Sequence, residues 1–246
     1  MAYGKVLCII QARMGSERLP GKVMKELGDK PMIEHTLSRV AGSDRVDQVV
    51  LATSDKESEN VMVDYLRGRG WSVFRGDENN VLKRYVDCEE YYKGDIIIRV
   101  TGDCPFIDPD IIDNVITHFG INDFDYVRLD VPDTFIRGFD VEIFTREAML
   151  RVYEITKNIE GESPYKEHVT YYMYKHPEEF KIGYVKGSEL YSKNYRLCVD
   201  TPEDYKLVTT VYNHFNDDWV SAKEIVKFLD ENPDVANINQ DVIQKQ

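Results

Sequence analysis

The sequence lacks any apolar run long enough to cross a membrane: residues 6–10 make a stretch of five, and nothing later approaches the eighteen or so that a membrane helix requires. With no signal-peptide pattern at its start either, the chain is expected to be soluble and cytoplasmic. Cysteine is scarce, and Cys8, Cys88, Cys104 and Cys198 lie far apart without a CxxC pair or a Cys/His cluster. That spacing excludes a disulfide scaffold and a zinc module, and implies reduced thiols. Positive charge is also short: 31 Lys and Arg face 44 Asp and Glu, a net charge of -13, so the surface as a whole repels nucleic acid. Neither GxGxxG nor GxxxxGK[ST] occurs, which leaves a dinucleotide fold and a P-loop without support. There is no repeat, coiled-coil pattern or low-complexity tract. What is present, 246 residues with 42% hydrophobic and 30% charged, suits one α/β domain spanning residues 1–246.

Strand and helix signals alternate along the first half. Residues 6–10 read as a buried strand that breaks into a polar, glycine-bearing loop, residues 11–22. Ile33, Leu37 and Val40 then recur on one helical face that should stop near Gly42. Residues 48–53 and 72–74 read as strands, 61–67 and 80–92 as helices, and 95–100, with its Ile-Ile-Ile centre, as the strongest strand. Asp108-Pro109 supplies an N-cap and a first-turn proline for a helix whose buried face runs from Ile111 to Phe119. Later signals are looser: strands at 125–129, 139–144 and 195–199, helices at 146–157 and 166–175, and a helix opened by Thr201-Pro202-Glu203-Asp204 as a capping box. Residues 231–246 read as a peripheral tail or short arm. This alternation implies a mostly parallel, twisted sheet with helices on both faces.

Ligands of parallel α/β sheets collect at the carboxyl ends of the strands. After the first strand, residues 11–25 hold Arg13, Arg18, Lys22 and Lys25 against Glu17 alone, and Gly15 and Gly21 let backbone N–H groups approach an anion. This is either a cradle for a triphosphate or a solvated basic turn. Asp103, in Thr101-Gly102-Asp103-Cys104-Pro105, either holds Mg²⁺ or turns the chain, and Asp200, at the end of the 195–199 segment, is a second candidate ligand. Asp140 and Glu142 share one face of an extended segment, where they either accept from sugar hydroxyls or form the wet side of an edge strand. His168 is divided between anion contact and a helix surface; His35, His118, His176 and His214 read as structural.

The run Ile-Ile-Gln-Ala-Arg-Met-Gly-Ser-Glu-Arg-Leu-Pro-Gly-Lys, residues 9–22, resembles the N-terminal signature of the cytidylyltransferase family that includes CMP-KDO and CMP-sialic acid synthetases, and within it the spore coat polysaccharide biosynthesis protein F branch. Residues 75–82, Val100-Thr101-Gly102-Asp103-Cys104-Pro105, Gly138-Phe139-Asp140-Val141-Glu142, Glu167-His168-Val169-Thr170 and residues 199–204 follow the same branch in order. Gln11 stands where the KDO and sialic acid enzymes usually have proline. The resemblance implies a Rossmann-like nucleotidyltransferase fold, usually dimeric, that joins CMP from CTP to a small sugar-acid-like acceptor with release of pyrophosphate. It further implies that Gln11, Ala12, Arg13, Gly15, Ser16, Arg18 and Lys22 surround the triphosphate, that Arg75, Asp77 and Asn80 lie beside base and ribose, and that Asp103 and Asp200 ligate Mg²⁺. Asp140, Glu142 and His168 are left to the acceptor. On this scheme residues 1–120 form the nucleotide-binding half, and 121–230 the acceptor-binding and dimerisation half. A nucleotide-sugar glycosyltransferase and a catalytically silent nucleotide-binding protein are the alternatives.

Overall fold

The computed structural model describes residues 4–161 and 163–244. Its first half alternates as expected: β1 (Val6–Gln11), the short pair β2 (Glu26–Leu27) and β3 (Lys30–Pro31), α1 (Met32–Ala41), β4 (Gln48–Ser54), α2 (Asn60–Gly68), β5 (Ser72–Gly76), α3 (Val81–Tyr92), β6 (Ile96–Thr101) and α4 (Pro109–Gly120). The second half holds β7 (Tyr126–Leu129), β8 (Glu142–Thr145), α5 (Arg146–Thr156), α6 (Pro164–Glu167), α7 (Tyr171–Lys175), β9 (Ile182–Val185), α8 (Pro202–Phe215), α9 (Ala222–Glu231) and α10 (Pro233–Ala236).

Seven strands form one sheet in the order β5-β4-β1-β6-β8-β7-β9. Only β8 runs against its neighbours, β6 and β7; the other pairings are parallel. Alternate residues of β1 sort to opposite faces: Val6, Cys8 and Ile10 join a core with α1, α2, α4, α8 and α9, while Leu7 and Ile9 join a second core with α3 and α5. The sheet is therefore covered on both faces. All four cysteines are free and buried, and among the described residues no helix is long and apolar enough to cross a membrane.

Four readings need correction. Residues 195–199 are not a strand: they make one isolated bridge, Arg137 with Arg196, because their partner segment is itself irregular. The strand expected from residue 139 begins at Glu142, since Gly138 (φ 111°) and Asp140 are engaged in a turn, with the Gly138 N–H donating to Asp140 Oδ2 at 2.7 Å. The helix expected over 166–175 is two short pieces, broken where His168 leaves the helical region. Residues 231–244 are no peripheral arm; they fold back as α10 and a 3₁₀ turn, and Asn239 is buried against α8.

Candidate active site

The loop after β1 is set by a buried carboxylate. Glu59 Oε2 accepts from the Met14 N–H (2.9 Å) and the Thr53 hydroxyl (3.0 Å), and the Ser16 and Gly21 N–H groups both close on the Met14 carbonyl. The tight turn carries Arg13, Gly15 and Ser16 over the edge of the sheet and delivers Lys22 at its return. Asp103 leaves β6 beside this loop because Gly102 allows close approach: a Cβ there would lie 2.7 Å from Ile33 Cδ1 and 2.8 Å from Ala12 Cβ.

Asp200 arrives from the far side of the fold, and the two carboxylates meet. Lys22 Nζ donates to Asp103 Oδ2 at 2.6 Å and to Asp200 Oδ1 at 2.8 Å, so one ammonium spans both. Arg18 Nη2 lies 2.9 Å from Asp200 Oδ2, and Arg196 binds the same oxygen. Burial alone would lower the Lys22 pKa and raise that of Asp200; the mutual attraction outweighs it, holding the lysine above and the aspartate below their ordinary ranges. Asp200 is thus an ionised oxygen donor beside a second carboxylate, a hard ligand set already sharing one cation. That set fits Mg²⁺ or a similar hard divalent ion.

A cavity of about 800 Å³ opens over this point. Of the residues singled out in the sequence, Gln11, Ala12, Arg13, Gly15, Ser16, Arg18, Lys22, Asp103, Asp140, Glu142, His168 and Asp200 all line it. Arg75, Asp77 and Asn80 do not reach its wall. Arg75 donates to the Ser54 and Lys56 carbonyls and to Asn60, Asp77 Oδ1 accepts from the Asn79 and Asn80 N–H groups, and Asn80 caps α3 through Lys83. Their polar atoms build the loop, and Val81 and Arg84 reach the cavity instead. Arg84, 3% exposed, donates to the Asp77 carbonyl and makes no salt bridge among the described residues.

At the other end of the cavity, Glu142 is spent on its neighbours rather than left for a ligand: Arg99, Tyr126 and Thr170 all donate to it. Burial would raise its pKa, but Arg99, with the two hydroxyls, brings it below the ordinary value. Asp140 goes the other way, raised by burial against the opposing Gly138 N–H and Arg137. Arg99, Arg128, Arg137 and Tyr174 complete this wall and were not foreseen. One signal was available: Arg99 interrupts the Ile-Ile-Ile-Arg-Val strand, where an unpaired charge would be costly. Nothing in the sequence marks Arg128 or Arg137.

The chain matches the Cytidylyltransferase family model over residues 7–232. It is 38% identical over 242 residues to an uncharacterized protein of Methanocaldococcus jannaschii, covering 98% of this chain and 97% of that protein. It is also 38% identical over 240 residues to the spore coat polysaccharide biosynthesis protein SpsF of Bacillus subtilis, covering 94% and 96%. A solved cytidylyltransferase from Leptospira borgpetersenii superposes with a TM-score of 0.87 at 32% identity, covering 99% of this chain and all of that one. The family match spans the segments that carry the basic loop, Asp103 and Asp200, and it decides against a glycosyltransferase: the chain belongs to the cytidylyltransferase family and is a nucleotidyltransferase.

Proposed function

We propose that the chain transfers CMP from CTP to a hydroxyl of a small, sugar-acid-like acceptor and releases pyrophosphate, with Asp103 and Asp200 holding Mg²⁺. The convergence of both carboxylates on one cation beside the basic loop carries this reading. Held by Asp103 and Asp200, Mg²⁺ would supply neutralising charge to the phosphates. The chain's own groups do the rest. Arg13, Arg18 and Lys22 receive the β- and γ-phosphates and stabilise the leaving pyrophosphate, while Gln11, Ala12, Gly15 and Ser16 shape the cradle. The acceptor lies against Asp140, Arg128, Arg137, His168 and Tyr174, which favours an anionic, hydroxyl-rich molecule. Asp140 takes the proton of the attacking hydroxyl as the hydroxyl oxygen bonds to the α-phosphorus and the bond to pyrophosphate breaks. Glu142 acts by holding Arg99. Arg75, Asp77 and Asn80 serve the nucleotide by keeping Arg84 and Val81 at the cavity wall, so residues 1–120 bear the donor and 121–230 most of the acceptor. The name of the Bacillus subtilis relative supports a role in surface polysaccharide synthesis, and a cytoplasmic homodimer is carried over as what the sequence resemblance implies.

The direct test is pyrophosphate release from CTP, with Mg²⁺, across a panel of sugar acids. One acceptor should support turnover, and Asp103→Asn and Asp200→Asn should each lower kcat by about two orders of magnitude or more with folding intact. Full activity in both variants would refute the metal assignment, and silence with every nucleoside triphosphate would refute the reaction. A pH profile adds a second check. Because the Asp140 pKa is raised, kcat/KM should fall on acidification from above the ordinary carboxylate range, and Asp140→Asn should abolish that limb.

A further inference from the structure

Asp200 is not carried by a sheet strand, so something else must fix it. Its backbone is held by Asp204, whose Oδ2 accepts from the N–H groups of Asp200 (2.9 Å) and Thr201 (3.0 Å) as part of the capping box of α8. Its carboxylate is held by three cations, and they differ in kind. Lys22 and Arg18 belong to the loop that the proposed reaction commits to phosphate. Arg196 holds the same carboxylate from outside that loop and is not among the residues lining the cavity.

Arg196 is in turn fully directed. Its Nη2 meets Asp200 Oδ2, its Nε meets Asp204 Oδ1 at 3.1 Å, and its Nη1 meets Gln244 Oε1. Asn239 closes the arrangement from behind: its side-chain amide donates to Asp204 Oδ1 (2.7 Å) and to the Arg196 carbonyl (3.0 Å). Asp204 is 0% and Asn239 5% exposed, so these bonds form away from water, where losing one partner is most costly. The final turn of the chain thus reaches the same aspartate from two directions.

We propose that residues 237–244 are a positioning element of the active site, with Asn239 and Gln244 orienting Asp200 for metal through Asp204 and Arg196. The inference rests on the reading of Asp200 as a metal ligand, but needs no nucleotide or acceptor. Partners that orient a metal ligand typically contribute 10–100-fold to affinity. Their loss should therefore show in metal binding before it shows in folding.

The experiment measures Mn²⁺ affinity of the full chain by electron paramagnetic resonance, first without nucleotide and then with CTP, alongside thermal unfolding. Asn239→Ala should weaken Mn²⁺ binding by about tenfold or more. Gln244→Ala should weaken it less, at an unchanged melting temperature. Arg196→Lys, which keeps the charge but cannot reach three acceptors at once, should resemble Asn239→Ala. If Asn239→Ala does not fold, Gln244→Ala and Arg196→Lys decide the matter. Unchanged Mn²⁺ affinity in the folded variants overturns this proposal alone and leaves the reaction standing. No Mn²⁺ binding by the unaltered chain, either alone or with CTP, overturns both this proposal and the metal assignment.

Discussion

Between Asp103 and Asp200 the Lys22 ammonium sits where the proposed divalent cation would sit, and like-charged groups cannot share that space. On the proposed metal site the ion would have to displace it, and the phosphates of an incoming nucleotide would give the lysine somewhere to go. In the absence of nucleotide, Lys22→Met should therefore bind Mn²⁺ about tenfold more tightly, even as turnover is lost, whereas Lys22→Arg retains the competing charge. Equal or weaker Mn²⁺ binding by Lys22→Met would show that the lysine does not compete. Two glycines separate packing from ligand binding at the same site. A Cβ at Gly15 meets nothing within 4 Å, so Gly15→Ala should leave the unfolding midpoint unchanged while weakening CTP, since the new methyl occupies the cavity wall. Gly102→Ala collides with Ile33 and Ala12 and should cost about 1–3 kcal/mol of stability, read by urea unfolding.

Pairing of β6 with β8 places Arg99 directly opposite Glu142, and this cross-strand pair stiffens the acceptor end of the cavity. Glu142→Gln leaves Arg99 shielded and uncompensated, so stability should fall by about 3 kcal/mol or more at neutral pH. The sign with pH follows from the lowered Glu142 pKa: its contribution is present above the unfolded value, and is lost as pH falls through the folded one. The unaltered chain should therefore lose more stability on acidification than Glu142→Gln, and parallel losses would exclude the pair as their source. Elements with a strong internal signal were legible in the sequence. β1, β4 and β6 announce themselves as apolar runs, and α4 and α8 by their caps. Elements defined by distant partners were not. Residues 195–199 look like a strand, but the chain they approach turns at Gly138, where a Cβ would lie 2.6 Å from the Leu197 carbonyl carbon, and only one bridge forms. Likewise Asp103, Asp200 and Lys22 were legible as chemistry, whereas the roles of Arg196 and Asn239 exist only once α10 has folded back.

Over the whole molecule a net charge of -13 opposes the approach of a nucleoside triphosphate, itself an anion. The cavity offsets this only weakly: Arg13, Arg18, Lys22, Arg84, Arg99, Arg128 and Arg137 face Glu17, Asp103, Asp140, Glu142, Glu167 and Asp200, seven basic side chains against six acidic. Four of those acids, Asp103, Asp140, Glu142 and Asp200, engage basic partners, so few cations are free to neutralise phosphate. A divalent ion delivered with the nucleotide would both satisfy the two aspartates and release Lys22. Thermal stabilisation by CTP should thus be large with Mg²⁺ or Mn²⁺, about 2.7 kcal/mol at a hundred times Kd, and much smaller after chelation with EDTA. CMP, with less charge to neutralise, should show a smaller dependence on the ion. Equal stabilisation by CTP with and without EDTA would mean that the protein's own cations suffice, and would remove the need for a metal at Asp103 and Asp200.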